Sequence, residues 1–235
     1  MFEEHMAWIR SSCNVIRFSQ VLDHLIGGDT TRPRVAVTFD DGYADNYTQA
    51  LPILLRHEIP ATFFLATGLI ERKLDVLMAR SWRGWREENS TLTWRQILHM
   101  RRLGMAIGAH GHSHKPLMHL TDDAVVADLA ECKRLLEARL AEPILSLAYP
   151  KGRPRRDFSL RTVQLARDAG FRRAAAVLLR GVRRSDDVMA VPRFPIAGDT
   201  LGLLQAKVEG RLDLLGSLQE RVPPVMLELI SREGH

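Results

Sequence analysis

Two groups of side chains in this sequence are equipped to do chemistry. The first is Asp40-Asp41-Gly42, directly after the apolar run Val35 to Phe39. Neighbouring side chains leave a strand end in different directions, so one aspartate can hold a cation while the other faces a substrate. The second is His110-Gly111-His112-Ser113-His114. Each buried ring needs its own hydrogen-bond partner, so packing alone accounts poorly for three imidazoles this close together. Imidazole nitrogen and carboxylate oxygen are good ligands for a divalent cation, and three protein ligands leave positions open for water and substrate. Spacing leaves open which histidines bind. Alternate residues share a face in an extended segment, whereas a spacing of four favours one helical turn. A bare Asp-Asp-Gly also serves as an ordinary strand-to-loop turn.

The elements that must position these groups are legible as alternating strands and helices. Val35 to Phe39 reads as a strand, Asp45 to His57 as a helix that Pro60 stops, and Ala61 to Ala66 as the next strand. Residues 68 to 92 are Arg-rich and weakly patterned, an excursion at the rim with one short helix. Trp94 to Leu103 is helical, and Met105 to Ala109 is a strand that delivers His110. Thr121 caps a long helix to Leu140, with Asp122 and Asp123 at the positive end of its dipole. Ile144 to Tyr149 is a strand ending on Pro150-Lys151-Gly152, and Ser159 to Ala169 is a helix closed by Gly170. Phe171 to Val177 and Ala190 to Phe194 add strands, and Leu201 to Leu218 is helical ahead of Pro223-Pro224. This order predicts an α/β fold with a parallel sheet and right-handed crossovers. The polar motifs fall at C-terminal strand ends, where a β/α barrel or a doubly wound sheet places its active site. Periodicity does not choose between the two.

Composition narrows the class. The chain has 235 residues, 46% hydrophobic and 26% charged, which suits one soluble domain over 1–235, with 201–235 as a helical C-terminal extension. A net charge of +5 would suit an anionic partner. The arginines are scattered among acids without interleaved aromatics, however, which argues against nucleic acid. Cys13 and Cys132 fit neither a redox pair nor a thiolate metal site, and Cys132 reads as a small buried thiol. The N-terminal stretch MFEEHMAWIRSS is acidic and lacks a continuous apolar run, and no segment reaches the roughly 18 apolar residues of a membrane span. The sequence reads as cytoplasmic. It does not give an oligomeric state.

Three motifs in order carry a family resemblance. Thr38-Phe39-Asp40-Asp41-Gly42-Tyr43, then His110-Gly111-His112-Ser113-His114, then Ala148-Tyr149-Pro150-Lys151-Gly152 resemble the polysaccharide deacetylases, the NodB-homology or carbohydrate esterase 4 family. The flanks Asn46 to Phe64, Gly170-Phe171-Arg172 and Val191-Pro192-Arg193-Phe194 extend the likeness over Phe2 to Gly198. The resemblance implies a distorted (β/α)7 barrel and a metal-dependent hydrolase that removes N-acetyl groups from amino sugars, of N-acetylglucosamine type. It implies Asp41, His110 and His114 as metal ligands, with His112 merely intervening. Zn²⁺ is the first choice of metal, with Co²⁺, Ni²⁺ and Mn²⁺ as alternatives. It implies Asp40 as the general base acting on the attacking water, and the backbone N–H of Tyr149 as a donor to the oxyanion. Tyr43 and Pro150 fall in the motifs that would touch substrate, and Trp82 and Trp85 are candidates for stacking on sugar rings at the rim.

Two departures qualify the resemblance. Better-known members orient the base aspartate with an arginine in the third motif, where this chain has Ser146-Leu147-Ala148; Arg193 is the candidate for that task. Family members also supply a general-acid histidine from a late Leu-x-His motif or, in exopolysaccharide-associated members with a rearranged motif order, from a Tyr-His segment ahead of the aspartate pair. Neither is present, so the chain looks like a rearranged member lacking its first strand. Two rival readings follow: a weakly active or inactive relative that binds metal and glycan, and a metal-dependent hydrolase of a small non-sugar amide.

Overall fold

A computed structural model of the chain describes residues 1–21, 31–71 and 91–221. Helix α1 (Phe2–Ser12) leads into two short strands, β1 (Asn14–Val15) and β2 (Arg34–Val35), which pair in parallel. Ala36 alone separates β2 from the main sheet. Its six strands are β3 (Val37–Phe39), β4 (Ala61–Leu65), β5 (Ala106–Ala109), β6 (Ser146–Ala148), β7 (Arg173–Val177) and β8 (Val191–Arg193). They lie side by side in chain order and every neighbouring pair is parallel. Parallel neighbours need long connections. These contain α2 (Leu51–Arg56), α3 (Thr67–Ile70), α4 (Trp94–Arg102), α5 (Asp122–Leu140) and α6 (Leu160–Asp168); α7 (Leu201–Val208) and α8 (Asp213–Arg221) follow the last strand. The result is a curled half-barrel, consistent with a distorted NodB-like barrel rather than a flat doubly wound sheet.

Two apolar layers account for the curl. Alternate residues of a strand face opposite ways. Phe39, Phe63, Leu65, Ile107, Ala109, Leu147, Ala174 and Ala176 face outward into the core beneath the helices. Phe64, Ala148, Ala175 and Val191 face inward, joined by Phe18 from the turn after β1. Phe18 meets Phe64 edge to face at 5.3 Å between ring centroids. Gly108, the partner of Phe64 across the β4–β5 ladder, makes room for that ring: a Cβ at 108 would lie 2.5 Å from it. Because both faces are covered, β4 is buried at all five positions, which is why Ala61 to Leu65 lacks the apolar–polar alternation of a half-exposed strand and Thr62 is its one polar residue.

Local signals set the helix ends. The Thr93 hydroxyl accepts the Gln96 amide at 3.3 Å while the Gln96 side chain accepts the Thr93 amide at 2.8 Å, closing a capping box on α4. On α5 the Thr121 hydroxyl accepts the Ala124 amide at 3.4 Å, without a return bond, and Ala141 ends the helix with φ at 55°. The expected helix over Asp45 to His57 is a π-helical turn, Asn46–Ala50, running into α2. Pro52 offers no N–H to the preceding turn, and the wider winding coincides with that missing bond. The sequence reading placed no element before Val35, whereas α1 and β1 lie there. The strand expected over Ile144 to Tyr149 pairs only over Ser146–Ala148.

Candidate metal centre

The chemistry-bearing residues meet at one rim because of strand register. Moving two residues along each inward-facing row takes Thr38 to Asp40, Gly108 to His110 and Val191 to Arg193. All three leave C-terminal strand ends on the inner side. Asp41 then turns the chain: its φ is 71°, and Gly42 follows at 85°. Left-handed backbone is tolerated by aspartate better than by most residues, and it concentrates where function needs it. Gly42 is required for space as well, since a Cβ there would sit 2.9 Å from Leu65 Cδ2.

Asp41, His110 and His114 form a cluster that could hold a metal ion, one ligand atom from each lying within 4.8 Å of the others. Asp41 Oδ1 is 2.8 Å from His114 Nε2 and 3.3 Å from His110 Nε2. A tetrahedral zinc site separates its ligand atoms by about 3.4 Å, so small adjustments would admit a cation. His110 Nδ1 lies 2.7 Å from the Ala148 carbonyl. A carbonyl only accepts, so Nδ1 carries the proton and Nε2 presents its lone pair to the cluster. The donor set and its tautomer therefore fit a divalent cation. His112 points elsewhere, its Nδ1 at 3.0 Å from Thr67 Oγ1, which removes the ligand pairs that include it.

Beside this cluster stands Asp40, with Oδ2 at 3.9 Å from His110 Nε2. Arg193 reaches it from the far strand and donates two parallel hydrogen bonds, Nη1 to Oδ1 at 2.8 Å and Nη2 to Oδ2 at 2.6 Å. Nη1 also donates to Thr38 Oγ1 at 3.0 Å, and the guanidinium carbon lies 5.5 Å from the centre of the Phe64 ring. A forked, stacked guanidinium fixes a carboxylate in plane as well as in charge. Burial raises the proton affinity of Asp40, but the charges of Arg193 and His110 outweigh it and hold the carboxyl below its ordinary range. Desolvation raises the proton affinity of Asp41 too, but the hydrogen bonds and charges of His110 and His114 hold its carboxyl below the ordinary range. Burial opposes the charged form of His110, yet the two aspartates raise its proton affinity; in His114 burial prevails and lowers it. The field that draws a proton to His110 would equally draw a cation.

The remaining sequence candidates fall in different places. The ring of Tyr149 is fully buried on the outer side, stacked on Phe158 at 4.1 Å, with its hydroxyl donating to the Met189 carbonyl at 3.0 Å. Only its backbone is near the rim, and its amide lies 3.3 Å from the Ala175 carbonyl. Pro150 is buried against the Gly111 turn. Tyr43 is half-buried, bridged to Thr91, and burial with the charges of Asp41 and Asp45 raises its phenol. Trp82 and Trp85 lie outside the described residues. Cys132 is buried with its thiol pushed up to about 12, which fits an inert packing residue. Sequence reasoning missed Thr67 and Asp128, both of which hold the histidine loop. The available signal was an acid at a core-facing position of α5, among Val125, Leu129 and Cys132.

The half-barrel and its acid–histidine rim define a class, and comparison with known proteins agrees. The polysaccharide deacetylase family profile matches residues 27–174, and the chain belongs to that family. It is 23% identical over 211 residues to the poly-beta-1,6-N-acetyl-D-glucosamine N-deacetylase of Staphylococcus aureus, covering 89% of this chain and 70% of that protein. It is 24% identical over 198 residues to YxkH of Bacillus subtilis, covering 83% of this chain but only 64% of that relative's length. Among solved structures, the fold matches the Streptococcus pyogenes deacetylase PplD in complex with acetate at a TM-score of 0.73, with 21% identity and 88% and 85% of the two chains covered. IcaB from Ammonifex degensii matches at 0.71, with 25% identity and 89% and 88% covered. Among the described residues no helix is long and apolar enough to cross a membrane.

Proposed function

We propose that this protein is a metal-dependent N-deacetylase acting on a glycan that contains N-acetylglucosamine. The observation that carries the reading is the pairing of an ionised, arginine-clamped Asp40 with the neighbouring Asp41–His110–His114 cluster. Asp41, His110 and His114 would hold the cation, with zinc the first choice for two imidazoles and a carboxylate. A divalent cation supplies two things here, polarisation of the acetamide carbonyl and a lower pKa for the attacking water.

The residues of the chain account for the rest. Asp40 takes the proton of the attacking water as the carbon–oxygen bond forms. Arg193 keeps both Asp40 oxygens in one plane and keeps the carboxyl ionised until that moment. Once protonated against a guanidinium, Asp40 is a strong acid, well placed to pass the proton to the departing nitrogen as the carbon–nitrogen bond breaks. One residue can thus serve as base and then acid. The Tyr149 amide would serve as oxyanion partner in exchange for its 3.3 Å bond to the Ala175 carbonyl.

A polymer of N-acetylglucosamine is favoured by the likeness to the staphylococcal N-deacetylase. The test is acetate release from β-1,6-linked N-acetylglucosamine oligomers, with chitooligosaccharides and a simple N-alkyl acetamide alongside. Release from the β-1,6 oligomers that is lost in Asp40→Asn supports the reading. Metal binding without acetate from any sugar would favour a binding-only relative, and release from the simple amide alone would favour the small-amide alternative.

A further inference from the structure

The turn between His110 and His114 is gripped from outside the cluster. Asp128, only 9% exposed on the core side of α5, accepts the His112 amide at 2.8 Å on one carboxylate oxygen and the Ser113 amide at 2.7 Å on the other. Gly111 lets the backbone pass: its φ is 74°, and a Cβ there would lie 2.8 Å from Asp128 Oδ2. From the opposite side the amides of Thr67 and Gly68 donate to the Gly111 and His112 carbonyls at 3.2 and 2.9 Å, and Thr67 Oγ1 meets His112 Nδ1. His114 leaves this turn with φ at 57°, a conformation that a histidine keeps only where its surroundings hold it.

A carboxylate among Val125, Leu129 and Cys132 is costly unless donors compensate it, and the two donors it finds belong to the histidine loop. We propose that Asp128 is a positioning residue for the cation: by fixing the Gly111–Ser113 turn it sets the separation and aim of His110 and His114. The inference rests on the metal-dependent reading above. Asp128 reaches the cluster through the backbone amides of His112 and Ser113, as residues that orient metal ligands commonly do from one step away.

The test is a Co²⁺ titration of the unaltered chain, of Asp128→Asn, and of Asp123→Asn, an exposed acid in the first turn of the same helix. Asparagine keeps the shape but turns an NH2 towards one of the two amides. Asp128→Asn is expected to weaken Co²⁺ binding by about 10- to 100-fold and to alter the visible spectrum of bound Co²⁺, while the metal-free protein still melts cooperatively. Asp123→Asn is expected to behave as the unaltered chain. Unchanged Co²⁺ affinity and spectrum in Asp128→Asn would overturn the proposal. Should that variant not fold, amide exchange in the unaltered, metal-free protein decides: slow exchange at His112 and Ser113 supports the clamp, and fast exchange at both refutes it. If the unaltered chain binds no Co²⁺ at all, the metal-dependent reading itself fails and takes the positioning role with it.

Discussion

Arg193 and Asp40 are 153 residues apart in sequence and share two parallel hydrogen bonds of 2.8 and 2.6 Å across the open side of the half-barrel. One strand end thus controls the charge and the plane of a carboxylate at another. The pairing depends on the curl of the sheet, which brings β8 round to face β3.

Arg193→Ala should lower turnover by about 10²-fold, the scale expected when a catalytic group is misplaced by about an ångström. Arg193→Lys should recover only part of it, since an ammonium cannot fork to both oxygens. Steady-state kinetics with thermal melts will check this. Turnover equal to the unaltered chain would remove Arg193 from the site.

Cation binding should be visible as stability. A ligand that binds only the folded state at a hundred times its Kd contributes about 2.7 kcal/mol. Zinc at such a concentration should raise the melting temperature of the unaltered chain, and the rise should vanish in His114→Ala. An equal rise in both would place the cation elsewhere.

The interior packing makes a prediction independent of function. Gly108→Ala forces a methyl against Phe64 and the Ser146 carbonyl, and overpacking of this kind costs about 1–3 kcal/mol. Phe64→Ala empties the same space and should cost about 3–5 kcal/mol. Urea midpoints for the two variants will show whether the inner layer is as tight as its distances imply.

An ion pair in the loop between β7 and β8 sets an acid limit. Asp186 accepts from both Nη atoms of Arg180 at 2.8 and 2.7 Å. Burial raises its proton affinity, but Arg180 and the Arg183 amide win and the carboxyl stays below its ordinary value. The unfolded chain then binds the proton more readily than the folded one. The contribution is fully present above the unfolded value of about 4 and fades as pH falls through the folded value. Asp186→Asn should be destabilised near pH 6 by about 1–3 kcal/mol, since it takes the negative charge out of two charge-assisted hydrogen bonds to Arg180, and the gap should narrow below pH 4. Chemical denaturation from pH 3 to 6 measures it, and a constant gap would exclude the pair as the cause.

The candidate metal cluster was legible in part. Strand-end placement singled out the aspartate pair and the histidine run, spacing left open which histidines take part, and the family resemblance implied Asp41, His110 and His114, which the fold brings together. Arg193 was legible only as a candidate, because nothing local says which strand end a sheet will bring opposite Asp40. Asp128 was missed because helical spacing does not distinguish one acid on the inner face of α5 from the exposed acids around it. The elements before Val35 were missed for a different reason. β1 pairs over two residues, too few to show a period, and in α1 the apolar contacts of Met6 and Ile9 are diluted by Glu3, Glu4 and Arg10. The π-helical turn at Asn46–Ala50 also escaped, since a helix period carries no sign of a local change in winding.

The most direct test of the central claim is acetate release from β-1,6-linked N-acetylglucosamine oligomers by the chain stripped with a chelator and then reloaded with one equivalent of Zn²⁺. The account expects no release from the stripped protein, restored release on reloading, and none from Asp41→Asn under either condition. Release that persists in the stripped protein, or that survives in Asp41→Asn, would contradict it.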